Sequence, residues 1–232
     1  MPGSMERGTD IRGYMRAVWF AVLFCWSNAA AAQSILVMGD SILIWNSHVD
    51  ASVPDVLDSG LGDGVVNNAA VGAMLTNPNA LGRLFGYDIR AQYEGFDWDW
   101  VVLNGGANDL LMECGCGICD DVLEDLSTSD GRQGAMPDLV NEIRDAGAQI
   151  VLLGYYMPPS GGTEEFGCID DLSALNERYR TLSARDVDVY FLNVAELIPR
   201  NDLSLFDADL LHPSPKGSRI LGNAIVELIE AN

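Results

Sequence analysis

The chain has 232 residues, 48% of them hydrophobic, and its 34 Asp and Glu against 13 Lys and Arg give a formal net charge of −21. A field of that sign repels phosphate backbones and anionic lipid surfaces, which argues against nucleic acid or a membrane surface as the partner. Because the sequence shows neither a repeat nor a low-complexity tract, its length predicts one globular domain.

The first 32 residues have the pattern of a secretory signal. Arginines precede an apolar run at 17–26, and a small-residue segment follows at 29–32. The run is too short to span a bilayer, which needs about 20 apolar residues. We therefore predict a signal peptide over 1–32 and a single secreted or periplasmic domain over 33–232, with no stable membrane insertion.

Five short apolar runs then alternate with stretches of helical periodicity. The runs cover residues 35–38, 65–66, 101–103, 150–153 and 189–192, and the clearest helical stretches cover 137–146, 171–184 and 217–231. Continuously hydrophobic strands separated by helices are typical of a parallel sheet that is covered on both faces. The pattern predicts a three-layer α/β/α domain with about five parallel strands.

Polar or glycine-rich segments follow the first three runs. They are Gly39-Asp40-Ser41, residues 67–72 and residues 104–109. Chemistry gathers at the carboxyl ends of parallel strands, so we expect the three segments to meet at one edge of the sheet. Glycine, aspartate and serine are also ordinary turn residues. Ser41 is therefore a candidate nucleophile only if the chain supplies a base.

The chain has two histidines, and His212 is the better candidate for that base. Asp209 precedes it by three residues and two prolines follow, which favours a turn in which the carboxylate folds back to the imidazole. His48 is closer to Ser41 in sequence, but it lacks a carboxylate at the same interval. The pattern favours a triad of Ser41, His212 and Asp209.

Two of the strand ends also offer hydrogen-bond donors for an oxyanion. Gly72 presents a backbone N–H with no side chain in the way, and Asn108 presents a side-chain amide. Asp109 is expected to be structural, because a carboxylate is favourable at a helix start.

The substrate pocket is less well defined by the sequence. The long segment 154–167 is a candidate for one wall of the cleft. Four apolar residues after the polar blocks are candidates to line an acyl pocket, with ordinary core packing as the alternative: Trp45, Met74, Leu75 and Leu111.

Four cysteines lie outside the predicted signal, at Cys114, Cys116, Cys119 and Cys168. Zinc clusters of four cysteines usually form two separated C-x-x-C pairs, whereas disulfides are the simpler outcome in an oxidising compartment. We predict two disulfides and no metal. A bridge between Cys114 and Cys116 would be strained, so Cys168 is expected to join one of the other three, with its partner left open.

The four blocks resemble those of the SGNH hydrolases, also called the GDSL esterase/lipase family. The resemblance rests on 39–42, 67–72, Gly106-x-Asn108-Asp109 and Asp209-x-x-His212, and it extends from residue 35 to about 217. Ile42 stands where the family name has leucine, and the CGCGIC segment at 114–119 is outside the general family pattern.

The resemblance implies a flavodoxin-like sheet, a Ser41 nucleophile, a His212 base and an Asp209 partner. It also implies an oxyanion hole of the Ser41 and Gly72 backbone N–H groups and the Asn108 side chain, without a metal or organic cofactor. The predicted function is a secreted serine hydrolase that cleaves short-chain acyl, aryl or O-acetyl esters of a small molecule or polysaccharide. An acyltransferase, a thioesterase and a non-catalytic module that binds glycan or cell-wall material are the alternatives.

Overall fold

The five apolar runs form the strands of one sheet. The computed structural model describes residues 34–62, 64–76, 85–159 and 168–232. The predicted signal peptide at 1–32 and residues 160–167 of the predicted cleft wall lie outside the described residues. The strands are β1 (Ile35–Met38), β2 (Val65–Asn67), β3 (Trp100–Leu103), β4 (Gln149–Leu153) and β5 (Val189–Leu192).

All strand pairs in this sheet are parallel, and the strand order is β2-β1-β3-β4-β5. Ile35 at the start of β1 pairs with Val65 on one side and with Trp100 on the other. Every residue of β1 and β3 is buried, which explains why these strands read as unbroken apolar runs. The carboxyl ends of the strands therefore lie at one edge, as predicted.

Helices cover both faces of the sheet. One group pairs the helix Val53–Leu61 with the helix Pro215–Glu230, and another packs Asp120–Leu126 against Ala135–Asp145 and Ile169–Ser183. The prediction of a three-layer α/β/α fold is confirmed. The helices are α1 (Ser41–Ile44), α2 (Val53–Leu61), α3 (Ala107–Asp109), α4 (Asp120–Leu126), α5 (Ala135–Asp145), α6 (Ile169–Ser183), α7 (Val194–Leu197) and α8 (Pro215–Glu230).

The last helix begins two residues earlier than its apolar periodicity predicts. Ser214 caps it by accepting a hydrogen bond from the Gly217 N–H, and Pro215 occupies its first turn, where the missing N–H costs nothing. The loop that carries His212 is therefore fixed directly to a long helix. Within the described part of the chain, no helix combines the length and apolar character needed to cross a bilayer.

Candidate active site

The Gly-Asp-Ser sequence after β1 has a structural reason for each of its first two residues. Gly39 has φ +138°, and a Cβ at this position would overlap the side-chain oxygen of Asn104. Asp40 is buried and caps α1 by accepting a hydrogen bond from the Ile42 N–H at 3.0 Å. The two residues place Ser41 at the start of α1, at the carboxyl edge of the sheet.

The Asp40 carboxylate is surrounded by hydrogen-bond donors. It accepts from the Asn104 amide at 2.8 Å and from the Tyr155 hydroxyl at 2.5 Å. Burial raises the pKa of Asp40 above its ordinary value, although these hydrogen bonds oppose the shift. Burial also raises the pKa of Tyr155 well above its ordinary value, so this phenol remains a neutral donor.

The structure brings Ser41, His212 and Asp209 together from opposite ends of the chain. His212 Nε2 lies 2.9 Å from Ser41 Oγ, and His212 Nδ1 lies 2.5 Å from Asp209 Oδ2. With the Nδ1 proton directed at the carboxylate, Nε2 presents a lone pair to the serine hydroxyl. The arrangement can remove a proton from Ser41. His48, by contrast, lies exposed on a 3₁₀ turn, Ser47–Val49.

The second oxygen of Asp209 closes the turn that the sequence predicted. Oδ1 accepts hydrogen bonds from the backbone N–H groups of Leu211 and His212, both at 2.9 Å. Partial burial raises the pKa of Asp209, but the bonds from the His212 ring and the two amides outweigh it, so the pKa lies below the ordinary value. The carboxylate is thus held in its charged form beside the imidazole.

The face of the His212 ring is covered by Trp45, a contact that the sequence did not reveal. The two rings are stacked with centroids 3.6 Å apart and planes inclined by 6°. The indole Nε1–H donates to Asp207 Oδ2 at 2.7 Å, and the Asp207 N–H donates to the His212 carbonyl at 2.8 Å. The Tyr156 hydroxyl donates to the Leu211 carbonyl at 2.9 Å. These contacts hold the His212 loop in addition to the hydrogen bonds of Asp209.

The two hydrogen-bond donors that the sequence predicts for an oxyanion, besides Ser41 itself, lie in the cleft that contains Ser41. Gly72 and Asn108 both line the same cleft as Ser41 and His212. Gly72 has φ +78°, a conformation that favours glycine. The Asn108 amide donates one hydrogen bond to the Ala73 carbonyl at 2.9 Å, which orients it and leaves its second N–H for another acceptor.

The loop that carries Gly72 is fixed by Asp109. This fully buried carboxylate accepts from the Leu75 N–H at 3.0 Å and from the Thr76 N–H and hydroxyl at 2.7 and 2.6 Å. Asp109 thus has the structural role that the sequence predicts, but it acts by accepting hydrogen bonds from a distant loop and not only at the start of a helix.

Gln92 is a second buried support that sequence reasoning missed. Its side-chain oxygen accepts from the Gly39 N–H at 2.6 Å, and its amide donates to the Gly39 carbonyl at 3.0 Å. The side chain therefore holds the end of β1 on both sides of Gly39. Nothing local to Gln92 distinguishes it from other loop residues, so no sequence pattern would have found it.

An apolar cleft of about 190 Å³ opens beside Ser41. Leu111 lines it, as predicted, and so do residues at the start of the predicted wall segment, Tyr155, Tyr156 and Pro158. Among the described residues that line this cleft there is no Lys or Arg. Its further apolar lining comes from Val71, Leu172 and Leu211.

Three of the predicted pocket residues do not line this cleft, and their assignment is corrected. Trp45 lies behind the His212 ring instead. Leu75 is 1% exposed and packs in the core, where a Cβ on Gly105 would overlap it. Met74 forms a backbone bridge with Asp88. Core packing, the alternative noted for these residues, explains Leu75.

The four described cysteines form two disulfides, and one of these reaches the cleft. Cys114 is bonded to Cys119, and Cys116 is bonded to Cys168, so Cys168 joins the cysteine cluster and the remaining pair is local. Cys168 lines the cleft and precedes α6, whereas Cys116 follows the π-helical turn Leu110–Cys114. Among the described residues, no group of three or more potential ligands is placed to hold a metal ion.

Comparison with known proteins agrees with this architecture. The sequence model of the GDSL-like lipase/acylhydrolase family matches residues 37–220. No curated protein matches the chain by sequence.

Several solved structures are similar to the chain. A protein from Slackia heliotrinireducens, described as a candidate SGNH hydrolase, is 24% identical with a TM-score of 0.58, covering 86% of this chain and 100% of that one. The lipase/acylhydrolase from Enterococcus faecalis is 20% identical with a TM-score of 0.59, covering 86% and 96%. The psychrotrophic esterase EstA from Pseudoalteromonas sp. is 19% identical with a TM-score of 0.56, covering 86% and 97%. At these identities the likeness shows the fold alone.

Proposed function

The chain belongs to the GDSL-like lipase/acylhydrolase family, and from this premise we propose that it hydrolyses carboxylic esters through a covalent acyl-enzyme on Ser41. The observation that carries the proposal is the 2.9 Å separation of Ser41 Oγ and His212 Nε2, with Asp209 on the other ring nitrogen. A hydroxyl is a poor nucleophile until such a base accepts its proton.

In the acylation half of the proposed reaction, Ser41 Oγ forms a bond to the ester carbonyl carbon while its proton passes to His212 Nε2. Asp209 stabilises the resulting imidazolium. The carbonyl oxygen becomes an oxyanion that accepts from the backbone N–H groups of Ser41 and Gly72 and from the second N–H of Asn108. The bond to the leaving oxygen then breaks, and that oxygen takes the proton from the imidazolium.

In the deacylation half, water replaces the alcohol. His212 removes a proton from the water as its oxygen attacks the acyl carbon, and the same donors receive the new oxyanion. Collapse of this intermediate breaks the bond to Ser41 Oγ, which recovers its proton from His212. The products are a carboxylic acid and the starting enzyme.

We propose neutral esters with a small acyl group as the substrates, in the range of short-chain acyl, aryl and O-acetyl esters. The small volume and apolar lining of the cleft support this choice. The absence of Lys and Arg from its described lining, together with the net charge of −21, disfavours anionic substrates.

Export through the predicted signal peptide is part of the proposal. Two disulfides among the described cysteines support an oxidising destination, because reducing compartments keep thiols free. Amino-terminal sequencing of the protein recovered outside the cytoplasm should begin at Gln33. A start at Met1 would contradict this part of the proposal.

A fluorophosphonate probe tests the proposed nucleophile directly. The Pseudoalteromonas esterase has a structure inhibited by monoethylphosphonate, which makes this chemistry a suitable choice. We expect a single covalent adduct on Ser41, located by peptide mass spectrometry, and parallel loss of p-nitrophenyl acetate hydrolysis. Ser41→Ala should abolish both, whereas Ser59→Ala, on the exposed face of α2, should change neither. A protein that takes no label at any pH would refute the proposed function.

A further inference from the structure

The side chains of Trp45 and His212 are stacked, and the proposed reaction as described so far gives this contact no role. The indole lies flat on the imidazole, with ring centroids 3.6 Å apart and an interplanar angle of 6°. Both edges of the imidazole are already occupied, Nδ1 by Asp209 and Nε2 by Ser41. Another side chain can therefore contact the imidazole only through its faces, and Trp45 covers one of them.

Trp45 is well placed for this role by its position in the chain. It follows Ser41 by four residues, and its backbone N–H donates to the Ser41 carbonyl at 2.9 Å, closing the single turn of α1. The same turn of helix therefore carries both the hydroxyl and the indole. A shift of the hydroxyl relative to the indole is resisted by this shared turn.

Asp207 holds the indole of Trp45 at its ring nitrogen. Its Oδ2 accepts from Trp45 Nε1 at 2.7 Å, and its own N–H donates to the His212 carbonyl at 2.8 Å. Asp207 thus joins the stacked residue to the backbone of the residue on which it stacks. A carboxylate at the indole N–H also increases the electron density of the ring, which favours a cation on its face.

From these contacts we propose that Trp45 is a positioning residue for the His212 base. It keeps the imidazole in the plane that joins Ser41 and Asp209, and it stabilises the imidazolium that forms in each half of the reaction. This inference rests on the proposed ester hydrolysis. The contact acts on the base rather than on the acyl group, so its loss should lower kcat and leave KM nearly unchanged.

Kinetics of three variants test the role of the ring. Stacking of an aromatic ring on a cation predicts that Trp45→Leu lowers kcat for p-nitrophenyl acetate about 2- to 30-fold. Trp45→Phe keeps an aromatic face and should recover a large part of the loss. Asp207→Ala should lower kcat less than Trp45→Leu. Phe96→Leu is the control, because it removes an exposed ring before β3, on the edge of the sheet away from Ser41.

A spectroscopic measurement separates positioning from a general loss of structure. The chain has only two histidines, so the imidazole C–H proton resonances of His48 serve as an internal reference. The stacked indole should shift those of His212 upfield by its ring current. Trp45→Leu should remove this shift, and Trp45→Phe should retain part of it, while the His48 resonances stay in place.

Each rate is divided by the concentration of sites that a fluorophosphonate labels. Unfolded protein then does not lower the measured kcat. Unchanged kcat in Trp45→Leu, equal losses in the Phe and Leu variants, or His212 resonances that ignore the substitution would each overturn the role of Trp45. These results would leave ester hydrolysis intact. A wild-type protein that is neither labelled nor active would overturn the proposed function, and the role of Trp45 with it.

Discussion

The disulfide between Cys116 and Cys168 should contribute more to stability than any other covalent feature of the described chain. It closes a loop with a sequence separation of 52, whereas Cys114–Cys119 closes one of only 5. A cross-link restricts the unfolded chain, and the restriction grows with loop length. The replacement of both cysteines by alanine, Cys116→Ala with Cys168→Ala, removes the long loop without leaving a free thiol.

The expected magnitude follows from the two loop lengths. For the longer loop, the entropy model gives about 14 cal/mol/K, or about 4 kcal/mol at 25 °C. For the shorter loop, it gives about 7 cal/mol/K, or about 2 kcal/mol. The double variant Cys114→Ala with Cys119→Ala is therefore the matched control, and the long-range bridge should be worth about twice as much.

Urea unfolding of the mature protein without reductant measures the difference. The comparison should use the extrapolated free energy of unfolding rather than the midpoint, because loss of a cross-link enlarges the unfolded state and changes the slope. Equal losses in the two double variants, or a larger loss for the local bridge, would refute the loop-length argument.

Three further predictions concern the site and its supports. Asp209→Asn should leave the protein folded and lower kcat for p-nitrophenyl acetate by about 10⁴-fold, because the amide favours the wrong imidazole tautomer; a loss under tenfold would contradict the role of the carboxylate. Asp109→Ala leaves the N–H groups of Leu75 and Thr76 without their buried acceptor, so the free energy of unfolding should fall by about 3 kcal/mol in urea titration; a change below 1 kcal/mol would show that the loop holds itself. A p-nitrophenyl ester with a carboxylate on its acyl chain should have a lower kcat/KM than its uncharged counterpart, and the gap should narrow as salt is added. A gap that is insensitive to salt would mean that shape, not charge, discriminates.

The strands and the candidate reacting residues could be predicted because each depends on a local pattern. β1 and β3 are buried on both faces, so their sequences are unbroken apolar runs. The close spacing of Asp209 and His212 reflects a single turn, closed by hydrogen bonds between neighbouring residues. Ser41 could be predicted as their partner because it closely follows β1 at the carboxyl edge of the sheet, and the family resemblance implies the same role.

The supports of the site could not be predicted, because they depend on contacts between distant segments. Gln92 reaches Gly39 across 53 positions, and Asp109 reaches Leu75 across 34. The sequence predicts Trp45 in the acyl pocket because it is a large apolar residue close to Ser41 in the chain. Its actual contact depends on where a loop near the other end of the chain returns, which no local spacing indicates.

The position of His212 along the chain has a consequence for biosynthesis. Ser41 and His212 are 171 residues apart, and the histidine loop is anchored to α8, which must pack on α2. On the proposed mechanism, a nascent chain released only as far as α7 contains Ser41 but not the histidine that would deprotonate it. If the protein is translocated from its amino end, the proposed hydrolysis therefore cannot begin until the last segment is delivered.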